Sequence, residues 1–293
     1  MLRFAPGAHH VAVLPLAGVD PPGDLVLCDL AREGANQVVR GLRGLDFEDA
    51  GAIVIEDVLF SISSSAERAE RDAPGLAGDA VVWEEVESRM RDEQALSASF
   101  LVFMIIAVLI AGIGLLLDQP VLIVGAMVVG PDFSPLAAMS FWLFRRRPRR
   151  AARAGVTMLA GFASGAAAAA TVGIAARYLD LVPADLDPSA LPLTGFVFDS
   201  GVLAFIVALL AGTVGMLSFT EGRAGALVGV FISVTTIPAL AGIGVAIAAG
   251  DFRDVGAAAL QLLVNVVGLV TACVLTLYVQ WRAWRQLAER SAR

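Results

Sequence analysis

Long uncharged runs alternate with short charged segments beyond residue 97 of the chain. Five runs contain no charged residue, and a sixth, Val121 to Phe144, is interrupted only by Asp132. Each run is long enough to cross a bilayer as a helix, which takes about 20 predominantly apolar residues. The pattern therefore predicts six transmembrane helices, over residues 98–117, 121–144, 154–176, 199–219, 224–249 and 256–281.

The first 97 residues contain the shorter apolar runs that are typical of a soluble domain. Apolar β-rich runs predict strands over 8–14, 25–29 and 51–60, and helical spacing predicts a helix over 31–45. This β-β-α-β order is that of a ferredoxin-like sandwich lacking its first strand and helix. The predicted domains are an incomplete cytoplasmic ferredoxin-like α/β domain (1–60), a linker with an amphipathic connecting helix (61–97), a six-helix transmembrane domain (98–281) and a cytoplasmic tail (282–293).

Composition agrees with a membrane protein and divides the chain in two. Hydrophobic residues make up 57% and charged residues 17%, against roughly 25% charged in soluble proteins, and the mean hydropathy is +0.76. Residues 1–97 carry eight Arg and 18 Asp or Glu, whereas the remainder carries 13 Arg and 10 acids. The acidic first part has no basic surface for a nucleic acid, so nucleic acid is not a predicted partner. The long apolar runs of the remainder make the lipid bilayer the predicted partner.

The arginines predict the orientation of the spans. Five of them follow the second span, namely Arg145, Arg146, Arg147, Arg149 and Arg150. The positive-inside rule places this loop and both termini in the cytoplasm. In the alternative, the second segment is a re-entrant hairpin and the loop lies outside.

The second span is interrupted at its midpoint. Its polar and helix-breaking residues are Gly130, Pro131, Asp132, Ser134 and Pro135. Prolines remove backbone donors, and the carbonyls left unpaired in lipid need partners or a wet cavity. An ionised acid there costs roughly 2.5–3.5 kcal/mol on insertion scales, so intramembrane acids usually serve a function or have a partner.

The fifth span has a similar interruption, at Thr235, Thr236 and Pro238. With the predicted orientation, spans one to three and four to six form two inverted three-helix units, each with a broken second helix. Matching breaks of this kind mark the midplane binding site of many transporters. The alternative is that both prolines produce simple kinks.

Asn265 in the last span is one of two Asn in the chain. Its amide either bonds to another helix or faces a solute, and interhelical bonding is the more common role. Small residues in the third span, including Gly161 and Gly165, form a surface for close helix packing, and they lead us to expect a homo-oligomer.

Several chemistries have no material in this chain. It contains no Lys, two Cys and two His, which are the neighbours His9 and His10. Neighbours in a regular strand face opposite sides of the sheet, so we expect no metal site and no cofactor. No nucleophile–base pair or metal cluster can be assembled, so an enzyme is the least favoured class.

The stretches around the two breaks resemble a known family. Residues 124–131, Val-Gly-Ala-Met-Val-Val-Gly-Pro, with Ser134-Pro135, and residues 236–244, Thr-Ile-Pro-Ala-Leu-Ala-Gly-Ile-Gly, followed by Asn265, are similar to hallmarks of the domain of unknown function 389 family. This family, also called the uncharacterised hydrophobic domain family, occurs in bacterial and archaeal membranes. The resemblance implies a multi-pass protein of the bacterial inner membrane, with the N-terminal ferredoxin-like domain that many members carry.

These observations lead to two functional hypotheses. The first is a transporter or channel for a small solute or ion, with a midplane site at the two breaks and regulation by a ligand on the cytoplasmic domain. Asp132 would bind a cation or a proton. The second is a membrane-anchored sensory protein that binds a metabolite or nucleotide and transports nothing.

Overall fold

The computed structural model describes residues 2, 5, 7–45, 51–56, 58, 63–66, 68, 81–182, 187–199, 201–221 and 236–291. Its strands and longer helices are β1 Ala8–Val19, β2 Pro22–Leu30, α1 Arg32–Arg43, α2 Trp83–Glu93, α3 Ala98–Leu116, α4 Pro120–Val129, α5 Phe133–Phe144, α6 Pro148–Tyr178, α7 Val202–Glu221, α8 Ile237–Ala249 and α9 Phe252–Ser291. Two compact units divide the chain, one of Met1–Arg89 with Gln280–Arg293 and one of Met90–Val279.

The N-terminal unit contains an antiparallel hairpin of β1 and β2, which confirms the first two predicted strands. Its register is irregular in two places, between His9 and Ala12 and between Leu14 and Gly18. The first irregularity overturns the expectation that His9 and His10 face opposite sides. Asp29 of β2 lies near both imidazoles, because the bulge turns the backbone at His10 to a φ of 49°.

Helix α1 packs against the chain that leads into α2. The side chain of Asn36 donates to the carbonyl of Val81 and accepts from the backbone N–H of Trp83, at 2.7 and 3.0 Å. Because Asn36 is buried, these bonds replace those it would make with water. Glu85 accepts from both Arg32 and Arg89. Glu85 and Arg89 lie four positions apart, which is the spacing of an ion pair on one face of a helix.

The third predicted strand, over 51–60, is not present in the residues that the structure describes. Residues 51–56 and 58 form no strand, and 57, 59 and 60 lie outside the described residues. Val54 and Ile55 are exposed. A β-prone sequence forms a strand only where a neighbouring strand pairs with it and a surface covers it. The ferredoxin-like sandwich therefore remains a prediction.

The second unit contains long apolar helices of a membrane protein. Helices α3, α6, α7 and α9 are each long and apolar enough to cross a bilayer. Helices α4 and α5 pass the same test together, with a bend of 55° between them. The 13 residues of α8 are shorter than a span, and residues 224–235 of the predicted fifth span lie outside the described part. Four to five of the six predicted spans are thus present.

Local signals start and end these helices where the chain must turn. Ser97 caps α3, because its hydroxyl oxygen accepts from the backbone N–H of Phe100. Proline opens α4 and α6, where its missing N–H would have had no helical partner. Gly250 ends α8 with a φ of 76°, a conformation that glycine adopts without a steric penalty.

Glycine contacts give the relative directions of α3 and α6. A Cβ on Gly161 would lie 2.7 Å from the ring of Phe100, and one on Gly165 would lie 2.7 Å from Val108. The contact further along α6 is thus also further along α3, so the two helices run parallel. The contacts confirm that the small residues of the third predicted span form a surface for close packing.

Helix α8 lies on the next face of α6 and runs parallel to it. Gly244 lies against Ala169, and Gly173 lies against Ala248 one turn further along both helices. Across the turn at Gly250, Gly242 lies against Ala258, so α9 returns antiparallel to α8.

Helices α7 and α9 form a second parallel pair. Gly268 lies against Ala208, and a Cβ on Gly212 would lie 2.8 Å from the carbonyl oxygen of Leu269. The thiol of Cys273 is buried, and its sulfur lies 3.5 Å from the carbonyl oxygen of Gly212.

Polar contacts connect neighbouring segments at each end of the bundle. Asp118, after α3, accepts from the backbone N–H and the hydroxyl of Thr194, both at 2.9 Å. At the other end, the hydroxyl of Thr157 in α6 donates to the carbonyl of Gln94 before α3, at 2.9 Å. The bent pair α4–α5 begins next to Asp118 and ends where Arg150 stacks on Trp142, at the beginning of α6. It therefore extends from one end of α3 to the other.

Candidate functional site

The first break separates α4 from α5. Gly130 and Pro131 have no helical conformation, and Asp132 is the N-cap residue of α5. Pro135 lies in the first turn of α5, where its lack of an N–H removes no helical hydrogen bond. The break therefore places a helix N-terminus in the middle of the predicted second span.

The beginning of α8, at the predicted second break, has the same local design. Thr236 is the N-cap residue of α8, and Pro238 lies in the first turn. Thr236, Ile237 and Pro238 are all buried. Thr235, which the sequence also assigns to this site, lies outside the described residues.

The structure brings the N-termini of α5 and α8 into direct contact. The hydroxyl of Thr236 donates a hydrogen bond to the carboxylate oxygen Oδ2 of Asp132. Asp132 is 1% exposed and Thr236 is fully buried. Neither side chain makes the capping bond to its own helix that its position allows. The two N-cap side chains bond to each other instead.

Gly130 allows this close approach. A Cβ at Gly130 would lie 2.8 Å from Cδ1 and 2.9 Å from Cγ1 of Ile237, a buried side chain. Ile237 therefore packs across the first break, and it is the site residue that sequence reasoning missed. Its apolar character gave no signal, because the surrounding sequence is equally apolar.

The electrostatic setting of Asp132 follows from the two helix ends. Each helix N-terminus carries a partial positive charge of roughly half an elementary charge. The N-termini of α5 and α8 both meet at the Asp132 carboxylate. Such dipoles stabilise a buried negative charge that apolar surroundings would otherwise disfavour.

The remaining predicted residues surround the contact or lie further away. Ser134 is half-buried in the first turn of α5, and Phe133 beside it lies 6.4 Å, centroid to centroid, from the ring of Phe219 in α7. Asn265 is fully buried on α9. It lies one turn before Leu269, whose backbone contacts α7. This position agrees with the interhelical role that is common for such an amide.

Gln261 lies one turn before Asn265 and is also buried. Within the described part of the chain, its amide oxygen has no hydrogen-bond partner. The pair places two amides on the buried face of α9.

Comparison with known proteins identifies the region that contains both breaks. No curated protein and no solved structure was found to be similar to the chain. Residues 127–271 match the model of the family described as "Domain of unknown function (DUF389)". This segment includes Gly130, Ser134, Thr236 and Asn265, which are among the residues on which the resemblance rests, and it also includes Asp132. Residues 127–271 therefore contain a DUF389 domain, which confirms the resemblance predicted from the sequence.

Proposed function

We propose that this protein moves a small solute or ion across a bacterial inner membrane, through a pathway between the N-termini of α5 and α8. The observation that carries the proposal is the hydrogen bond between Thr236 and Asp132, which joins the N-termini of α5 and α8. Interrupted helices whose N-termini meet near the midplane form the binding sites of several transporter folds. The proposal involves no catalytic step.

Helix directions support two halves of opposite topology. Helices α3, α6 and α8 run parallel, and α9 returns antiparallel to α8 together with its parallel partner α7. In this arrangement α4–α5 is the broken middle helix of the first half, and α8 belongs to the predicted middle span of the second. The end-to-end course of α4–α5 supports a broken span over a re-entrant hairpin.

A proton suits Asp132 better than a metal cation does. The positive potential of the two helix N-termini opposes a metal cation and a proton alike, but a metal cation also needs several further oxygen ligands. A proton neutralises the carboxylate without any further ligands, and it weakens the attraction between Asp132 and both helix ends. We infer that protonation of Asp132 loosens the contact with Thr236.

The contact between the breaks corresponds to a closed pathway. Asp132, Thr236 and Ile237 are buried at the point where a solute would have to pass. Transport then requires α5 and α8 to separate at their N-termini, which withdraws Ile237 from Gly130. Small rigid-body shifts of one half against the other are the usual route for such opening.

Arginine placement supports cytoplasmic termini in this proposal. Arg150 lies 4.5 Å above the ring of Trp142, at the end of the bundle where the five-arginine loop connects α5 to α6. An aromatic ring and a cation together are typical of a membrane interface. We further propose a homo-oligomer, because apolar side chains such as Phe103 and Ile106 on α3 are exposed to lipid or to a second copy.

Flux measurements in reconstituted vesicles test the proposal. We expect osmotic swelling with urea or glycerol, or proton entry reported by an internal pH dye, to exceed that of protein-free vesicles. Asp132→Asn should lower this flux strongly, because the amide keeps the size of the side chain but has no charge. The matched control is Ser140→Ala, a buried position in α5 whose hydroxyl bonds to the carbonyl of Leu136 in the same helix.

Two outcomes would overturn the proposal. Flux that Asp132→Asn leaves at the level of Ser140→Ala would remove Asp132 from the pathway. A complete lack of flux for all these probes, combined with binding of a metabolite to the full chain, would favour the sensory alternative.

A further inference from the structure

The only two histidines of the chain converge on one carboxylate of the N-terminal hairpin. Nδ1 of His10 lies 3.2 Å from Oδ2 of Asp29, and Nε2 of His9 lies 4.0 Å from the same oxygen. Ligand-type atoms of the three side chains all lie within 4.8 Å of one another. This cluster is independent of the breaks in the helix bundle.

A β-bulge produces the convergence. His9 pairs with Asp29, and the next matched pair is Ala12 with Leu27, so β1 contains one residue more than β2 between these points. His10 takes up the extra length with a φ of 49°, in the left-handed region that few residues other than glycine adopt. Bulges redirect side chains in this way, and they are frequent next to functional sites.

We propose that His9, His10 and Asp29 bind one divalent transition-metal ion of the zinc type. Two imidazole nitrogens and one carboxylate oxygen are a common ligand set for Zn²⁺, and they suit Mg²⁺ and Ca²⁺ poorly. Three protein ligands leave the fourth tetrahedral position to water or to an external ligand. The site therefore has the composition of an open zinc centre.

The distances require only a small closure around the ion. Tetrahedral Zn²⁺ with bonds of about 2.0–2.1 Å places neighbouring ligand atoms about 3.3 Å apart. His10 and Asp29 already satisfy this spacing, at 3.2 Å. The side chain of His9 is 12% exposed, whereas that of Asp29 is 48% exposed and has space to turn further towards His9.

Ser65 completes the arrangement from outside the ligand set. Its hydroxyl lies 2.8 Å from Nε2 of His10, the ring nitrogen that faces away from Asp29. A hydrogen bond to the second ring nitrogen orients a metal-binding histidine and fixes the tautomer that leaves the other nitrogen free for the metal. Ser63 in turn lies 2.7 Å from the Ser65 hydroxyl.

Zinc titration of the full chain in detergent tests this inference. The protein must carry no polyhistidine tag, and isothermal calorimetry should then show one Zn²⁺ per chain. Magnesium at the same concentration should neither bind nor compete. Co²⁺, as a spectroscopic substitute, should give the visible absorption of a four-coordinate ion, and the NMR signals of the two histidines should shift or broaden.

Variants separate a built site from scattered surface binding. His10→Ala and Asp29→Asn should each weaken Zn²⁺ binding more than about tenfold, and Ser65→Ala should weaken it by about tenfold, as for residues that orient a ligand. The matched control is Asp24→Asn on the same strand, whose carboxylate accepts from the backbone N–H of Leu16 at 2.8 Å. This variant should bind zinc like the unmodified protein.

The inference fails if the unmodified chain binds no Zn²⁺, or if Asp29→Asn binds it as tightly as Asp24→Asn does. Circular dichroism of each variant separates loss of a ligand from loss of the fold. A variant that unfolds is replaced by His9→Gln, which keeps a polar side chain of similar size and should also lose zinc.

Discussion

Two carboxylates of this chain, Asp132 and Asp29, have opposite surroundings. Asp132 is 1% exposed, lies at two helix N-termini and accepts a hydrogen bond from a fully buried hydroxyl. The side chain of Asp29 is 48% exposed and faces two imidazoles. A buried charge that loses a partner costs several kcal/mol, whereas an exposed one exchanges partners with water cheaply. The first carboxylate therefore fixes the position of two helices, and the second is available to a ligand.

The buried carboxylate depends on close packing elsewhere in the bundle. Helix α8 presents Thr236 to Asp132, and Gly244 holds α8 against Ala166, Ala169 and Ala170 of α6. Separating these helices moves the N-terminus of α8. Variants that widen the gap are thus the strongest test of the buried half of the comparison.

Gly244→Ala should produce the largest loss of stability. The new Cβ would lie 2.4 Å from that of Ala169 and 2.9 Å from the backbone nitrogen of Ala170, so the helices must separate. We expect the free energy of unfolding, measured by SDS titration in mixed micelles, to fall by about 3 kcal/mol, the upper end of typical overpacking.

The control for this variant is Gly256→Ala in α9, where no atom of another part of the described structure lies within 4 Å of the added Cβ. This substitution should leave stability unchanged or raise it, because alanine favours a helix by about 1 kcal/mol over glycine. Equal unfolding free energies for the two variants would contradict the close packing of α8 on α6.

Thr236→Val should have the second largest effect. It preserves the shape of the side chain but removes the hydroxyl that donates to Asp132, and a hydrogen bond to a charged group contributes about 1.5–3 kcal/mol. Thr236→Ser should retain most of the stability because it retains the donor.

A double-mutant cycle with Asp132→Asn isolates the pair. We expect a coupling energy of about 1 kcal/mol or more between Thr236→Val and Asp132→Asn, and none between Thr236→Val and Ser140→Ala. Additive effects for the first pair would mean that the two breaks are neighbours without an energetic link.

The same contrast explains which parts of the molecule the sequence predicts. Asp132 stood out because a charge within an apolar run is rare and expensive. Pro131 and Pro238 located the two breaks, because each interrupts such a run. The partner across the contact was not predictable: Thr236 was one of several small polar residues, and the contact spans 104 positions in sequence.

On the hairpin, the expectation that neighbouring side chains face opposite sides of the sheet failed because of a single extra residue. One inserted position in β1 reverses the side on which every following side chain lies, and no feature of the His9-His10 pair announces a bulge. The third strand failed for a related reason. Residues 51–56 have strand composition, but a strand forms only against a partner that the local sequence does not specify.

Reactivity of Cys28 gives the smallest expected effect and tests the exposed half of the comparison. Partial burial raises the pKa of the Cys28 thiol, and the negative charge of the neighbouring Asp29 raises it further. At a given pH, less of the thiol is ionised, so its alkylation is slower than that of a thiol with the ordinary pKa. The rate increases as the pH rises. Cys273 is fully buried in α9, so iodoacetamide labelling of the folded chain, followed by mass spectrometry, reports Cys28.

Asp29→Asn should increase the labelling rate of Cys28 modestly, because it removes only the smaller of the two causes. Asp24→Asn should leave the rate unchanged. Zinc in the proposed site should act in the same direction as Asp29→Asn, since the ion neutralises the carboxylate without blocking the thiol. If zinc instead protects Cys28 from iodoacetamide, the sulfur is a ligand, and the metal site on the hairpin has a different composition from the one proposed.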